Sequence, residues 1–148
     1  MAYVFGLATM KVVYSDIELA VDFSSSAECD NGAYISLDDG RIYWVSDTHD
    51  SDELPDDFES SDRYLLIPPK DDLLHGQSLV REFVAKNAPQ LTQQVREIFS
   101  RRGAYRRFKD LLHRNRLSKS WHEFEYQCET DAIKEWCRKN GIELTDDE

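Results

Sequence analysis

Two clusters of residues have the types and spacing for chemistry. The first is Asp47-Thr48-His49, which follows the apolar run Ile42–Val45, with Asp50 and Asp52 close behind. An Asp-x-His at the end of a strand can put a carboxylate oxygen and an imidazole nitrogen on one metal ion, as a metal-dependent phosphoesterase requires. Such a centre also needs ligands that bridge a second metal and hold an activated water. The Gly-Asp and Gly-Asn-His blocks that would supply them are missing, and His75, His113 and His122 stand in no comparable context. Asp47, Asp50 and Asp52 equally fall short of a calcium loop, which needs a glycine at its bend and a bidentate Glu at a fixed distance. Here Asp50-Ser51-Asp52 runs into Glu53-Leu54-Pro55. The expectation is an exposed acidic loop, with no metal and no cofactor.

The second cluster is basic. Arg96–Lys119 carries nine Lys or Arg and two acids, centred on Arg101-Arg102-Gly103-Ala104-Tyr105-Arg106-Arg107-Phe108-Lys109. Arg102, Arg106, Lys109 and His113 recur at four, three and four residues, a spacing that makes one stripe on a helix. Arg107 and Arg114 widen it, and Asp110 interrupts it. Arginine forks suit carboxylate or phosphate oxygens, and the helix N-terminus after Gly103 adds anion affinity. Tyr105 and Phe108 have the chemistry to stack on bases, but with Leu111 and Leu112 they read as an apolar core face. Exposed salt bridges contribute only about 0–1 kcal/mol each, so stability alone is a poor reason to concentrate arginines here. An acidic protein partner is the first reading. A nucleic acid or another phosphate ligand is the alternative, and a solvated or internally paired face is the plain one.

No Gly-x-Ser-x-Gly elbow, phosphate-cradling glycine loop or His-Glu-x-x-His is present, so motifs assign no catalytic residue. A site assembled only by folding stays open, because triads are defined in space. Cys29, Cys128 and Cys137 lack the number and spacing of a disulfide scaffold or a zinc site and read as reduced cytoplasmic thiols. The apolar opening Met1–Met10 has no positive residue before its core and no clear cleavage site, and it is too short to span a bilayer. Neither secretion nor membrane insertion is expected.

The 148 residues suit a single domain with a formal net charge of −11. That charge is unevenly spread: residues 1–62 hold 15 acids against Lys11 and Arg41, while residues 63–148 hold 16 bases against 14 acids. Such asymmetry steers partners or holds parts of one chain together.

The elements that position these groups follow from periodicity. Tyr14–Ser24 reads as a short helix with Asp16 as its N-cap and Ile17, Ala20 and Val21 inward. Ala33–Val45 reads as a hairpin about a two-residue type I′ turn at Asp39-Gly40, which opposes Ile35 to Trp44. Ile35, Leu37, Ile42 and Trp44 then share one face, with Tyr34, Tyr43 and Val45 on the other. Arg63–Ile67 supplies a third strand, stopped by Pro68-Pro69. Beyond it the period turns helical, near Asp72–Lys86 with Gly76 a weak point, and again from Pro89. Leu91, Val95, Ile98 and Phe99 face inward there, and Gly103 breaks the chain before the basic helix. A last helix starts at a Ser120–Glu123 capping box, runs to Lys139 through Trp121, Phe124, Cys128, Ala132 and Trp136, and is released by Gly141. This is an α+β protein, a three-stranded antiparallel meander covered by four to five helices. Residues 1–10 form an N-terminal extension, 46–62 an acidic loop and 143–148 a frayed acidic tail.

These residues resemble a bacterial uncharacterised protein family, numbered 158 in the UPF series. The likeness lies in Gly40 and its hairpin, Arg63-Tyr64-Leu65-Leu66-Ile67-Pro68-Pro69, Gly103-Ala104-Tyr105-Arg106-Arg107-Phe108-Lys109-Asp110, and the late Trp121 and Glu135-Trp136. It covers residues 11–142 and leaves out Met1–Thr9, so that Met10 is a candidate start. Tyr105 stands where relatives favour Phe. The resemblance implies the same α+β domain and brings no activity with it. The chain reads as a protein-interaction module acting through Arg102, Arg106, Arg107, Lys109, His113 and Arg114, of unknown oligomeric state.

Overall fold

The computed structural model describes residues 10–25, 31–46 and 51–145. The chain forms two compact units, one built from residues up to Leu73 together with those from Asp131 onward, the other from Leu74–Thr130. The division falls inside the segment read as one helix, Asp72–Lys86. Two helices stand there, α2 (Lys70–Leu73) and α3 (Gly76–Asn87). Gly76 is the first residue of the second helix rather than a weak point within one.

The first unit is α+β. Strands β2 (Gly32–Ser36), β3 (Ile42–Val45) and β4 (Tyr64–Leu66) form an antiparallel sheet. Its order is β3-β2-β4, so the third strand returns to pair with the first strand of the hairpin, where a meander would place it on the second. The hairpin register pairs Ala33 with Trp44 and Ile35 with Ile42, two residues away from the register of a two-residue turn. Leu37–Gly40 is instead a four-residue loop. The Gly40 N–H donates to the Ser36 carbonyl at 2.8 Å, and Asp39 accepts the Arg41 N–H at 3.0 Å. Gly40 takes φ +79°, and the Arg63 guanidinium binds Asp38 at 3.0 Å from the edge of β4. A shift of two leaves every side chain on its expected face. Ala33, Ile35, Leu37, Ile42, Trp44, Leu65 and Ile67 all join one core.

That core is completed by α1 (Tyr14–Ser24), through Ile17, Ala20 and Val21, and by Ile133 and Cys137 of the late helix. Helix α1 keeps its expected bounds, but Val13 precedes it and no side chain caps it; Asp16 lies within the first turn. Met10–Val13 (β1) and Ile142–Thr145 (β5) pair in parallel, so residues 143–145 of the expected frayed tail are a strand and Met10 lies within another. Gly141, at φ +75°, ends the preceding helix as expected and turns the chain into β5. The sheet's other face carries Tyr34, Tyr43 and Tyr64, with Phe58 of the acidic loop edge-on to Tyr34 at 5.0 Å.

The second unit is helical. After α3 come a 3-10 turn (Pro89–Leu91), α4 (Thr92–Ile98), α5 (Ala104–Arg114) and the start of α6 (Ser118–Lys139). Helix α6 begins before the expected capping box: the Leu117 carbonyl already accepts the Trp121 N–H at 2.9 Å, so Ser120 lies inside the helix. Phe83, Phe108 and Trp121 meet edge to face at its centre, with Val80, Val84, Leu91, Val95, Leu111 and Leu112 around them. Helices α3 to α5 thus build a core of their own. Among the described residues no helix is long and apolar enough to cross a membrane.

Candidate interaction surface

The metal-like cluster divides between described and undescribed residues. Asp47, His49 and Asp50 lie outside the described residues. Asp52 has a structural partner: its carboxylate accepts the Trp44 N–H at 2.9 Å while its own N–H donates to the Trp44 carbonyl at 2.8 Å. This reciprocal pair fastens the start of the loop to β3. Tyr64 donates its hydroxyl to Asp57 at 2.9 Å, and the hydrogen bond to that carboxylate pushes the phenol up to about 12. Two of the acids assigned to a solvated loop therefore hold it against the sheet. Among the described residues no three His, Cys, Asp or Glu side chains gather into a metal site.

The basic cluster is positioned by Gly103 and by the apolar side of α5. Gly103 adopts φ +72°, the left-handed region a glycine enters at no steric cost, and this separates α4 from α5. Phe108, Leu111 and Leu112 are at most 2% exposed and fix the rotation of α5. Phe108 is thereby excluded as a base-stacking platform. Tyr105 sits at the margin, 44% exposed and edge-on to Phe99 at 5.3 Å. With that side buried, Arg102, Arg106, Arg107, Lys109, His113 and Arg114 are all exposed. No ion pair among the described residues takes in any of the six.

The six divide between two flanks. Arg106, Lys109 and His113 rise along one side of α5 at a spacing of three and four, with Arg102 just before the helix. Arg107 and Arg114 lie on the other side with Asp110. They line a groove of about 280 Å³ together with Gln94, Glu97, Ile98 and Arg101. The Arg107 guanidinium also donates to the carbonyl of Arg102, so it closes the turn around Gly103 as well as facing the groove. The groove mixes three arginines with two carboxylates. The open flank is basic throughout. Arg101 was part of the basic run, but its place opposite α5 depends on the turn at Gly103 and has no signal in spacing alone.

Charge follows the division into units. Leu74–Thr130 holds 11 Lys or Arg against 6 acids, and the rest of the chain 7 against 23. The open flank of α5 is thus the exposed part of a unit that is itself positive.

Residues 12–148 match the uncharacterised protein family UPF0158, and the chain belongs to that family. No curated protein and no solved structure matches it.

Proposed function

We propose that this member of the family is a non-enzymatic protein-interaction module that presents α5 to an acidic protein partner. The observation that carries the reading is the open flank: Arg102, Arg106, Lys109 and His113 are exposed and take part in no ion pair among the described residues, and the opposite side of α5 is buried. Charge-assisted hydrogen bonds from guanidinium and ammonium groups to carboxylates are the strong contacts such a surface offers. A polyanion is served less well. Phe108 is buried on the opposite side of α5, Tyr105 at the margin of the flank is held edge-on against Phe99, and Glu97 and Asp110 interrupt the second flank. Single-strand binding relies on stacking platforms beside its basic groove.

The test uses immobilised protein and its Arg106→Glu/Lys109→Glu variant, each exposed to untreated and nuclease-treated lysate. Both positions are exposed, so the variant keeps its circular dichroism spectrum. Wild type retains an acidic protein after nuclease treatment, and the variant does not. Retention by a folded variant refutes the reading. Capture that vanishes with nuclease and falls steeply with salt assigns the flank to nucleic acid.

A further inference from the structure

The second unit carries a larger recess that shares no lining residue with the open flank of α5. It measures about 380 Å³ and runs between α3 and α4. Its floor is Val80, Val84, Val95 and Phe99, of which the three valines are 1%, 3% and 5% exposed. Its margins are two rows of exposed residues at helical spacing. Gln77, Arg81 and Ala85 follow one another at i, i+4 and i+8 on α3, and Thr92, Arg96 and Ser100 do so along α4 and its end. Eight residues of helix span about 12 Å, so the recess is an open groove two turns long. A small-molecule pocket encloses most of its ligand, and this groove lies open along both margins.

Its charge is one-sided. Arg81 and Arg96 occupy the middle of their rows, and none of the ten lining residues is acidic. Neither guanidinium takes part in an ion pair among the described residues; Arg81 reaches only the Ser78 hydroxyl, at 3.2 Å. An apolar floor bracketed by two unpaired arginines complements an apolar side chain with carboxylates beside it. A linear segment laid in a groove presents such anchors at regular spacing and leaves its other side in water.

We infer that the α3–α4 groove receives the apolar anchors of a short acidic segment of the partner protein, with Arg81 and Arg96 holding its carboxylates. The inference rests on the reading of α5 as a surface for an acidic partner and adds what that partner inserts. The floor takes a Leu- or Phe-sized group, and the arginines select against a lysine-flanked one. The long-range charge of α5 then governs encounter, and the groove governs retention.

The probe is a fluorescein-labelled twelve-residue peptide rich in Glu and Asp, with Leu at two positions four apart. Its control has Ser at both positions and the same charge. Anisotropy titrations use the full chain, its Ala85→Trp variant, its Arg81→Gln/Arg96→Gln variant and its Arg106→Glu/Lys109→Glu variant. Ala85 is exposed on the groove margin, so a tryptophan there fills the recess without entering the core. The Leu peptide binds wild type at least tenfold more tightly than the Ser peptide, and Ala85→Trp removes that difference. The double Gln variant weakens the Leu peptide at least fivefold. Equal binding of both peptides to wild type, absence of binding, or an undiminished difference in Ala85→Trp overturns the inference. A loss of both peptides in the α5 variant with no preference for Leu leaves α5 standing and the groove refuted. A Leu preference untouched by the α5 variant does the reverse.

Discussion

Gly76→Ala tests whether α3 and α5 are fitted together as closely as the structure shows. A methyl group on Gly76 would fall well inside the van der Waals radius of the Tyr105 hydroxyl oxygen, and 3.3 Å from Cζ of the same ring. Elsewhere in a helix the change gains about 0.5–1 kcal/mol from backbone entropy, and less at a first position such as this. Inserting a methyl group into an occupied space costs about 1–3 kcal/mol. The ring has an escape, because Tyr105 is 44% exposed and can swing outward. Doing so forfeits its edge-on contact with Phe99, worth about 0.5–1.5 kcal/mol. The cheaper route sets the price, and the net change is a loss of about 1 kcal/mol.

Tyr105→Phe removes the clashing oxygen and leaves Cζ, a contact a few tenths of an ångström adjustment relieves. In that background Gly76→Ala becomes neutral or slightly stabilising, giving a coupling of about 1 kcal/mol between the two sites. The measurement is urea unfolding of the four variants, followed by Trp121 fluorescence with Trp44 and Trp136 replaced by Phe. One probe in the helical unit is needed because two compact units need not unfold in a single transition. A coupling below about 0.3 kcal/mol, within the scatter of independent sites, would refute the packing argument.

Three further outcomes follow. Phe108→Ala empties a fully buried site between Phe99 and Trp121 and lowers the stability of the helical unit by about 3–5 kcal/mol, read in the same unfolding assay. Asp57→Asn returns the Tyr64 phenol from about 12 toward its ordinary value of 10.0, seen as earlier phenolate absorbance at 295 nm against a Tyr64→Phe control. The sign is that of a neutral group favoured by folding, so the wild-type bond stabilises below pH 10 and is lost as pH rises toward 12. Burial pushes the Cys137 thiol up to about 11, so iodoacetamide at pH 8 leaves it intact in the folded protein and alkylates it in urea, as mass spectrometry of the peptide reports. By the same sign, its contribution to stability declines as pH rises from 9 toward 11.

What was legible in the chain was local. Tyr14–Ser24 carries its own periodicity and keeps both bounds. The hairpin shows its faces, but a shift of two residues preserves them, so alternation cannot choose between a two-residue and a four-residue loop. That choice was made by the Asp39 and Ser36 hydrogen bonds and by Arg63 reaching across from β4. Strand β5 was illegible because four residues after a glycine stop look like a tail, and their partner, Met10–Val13, lies at the other end of the chain. The basic residues of α5 announced themselves by composition, and Phe108, Leu111 and Leu112 announced which side would be buried. The α3–α4 groove did not. Arg81 and Arg96 each adjoin a buried valine, Val80 and Val95, but only the placement of one helix beside the other makes that neighbourhood a recess.

A net charge of −11 argues at first against any acidic partner. The objection depends on the range over which charge is felt. At physiological ionic strength the Debye length is about 8 Å, so charges well beyond the contact zone are largely screened. A partner close to α5 is governed by Arg102, Arg106, Lys109 and His113, and by the positive balance of Leu74–Thr130 around them. At about 0.01 M salt the Debye length lengthens to about 30 Å, and the net charge of −11 then weighs against an approaching acidic surface. A uniformly basic protein attracts most strongly at low salt. A basic flank on an acidic chain is selective instead, because it rewards a partner that presents its carboxylates at short range to α5 and disfavours one that is merely acidic at a distance.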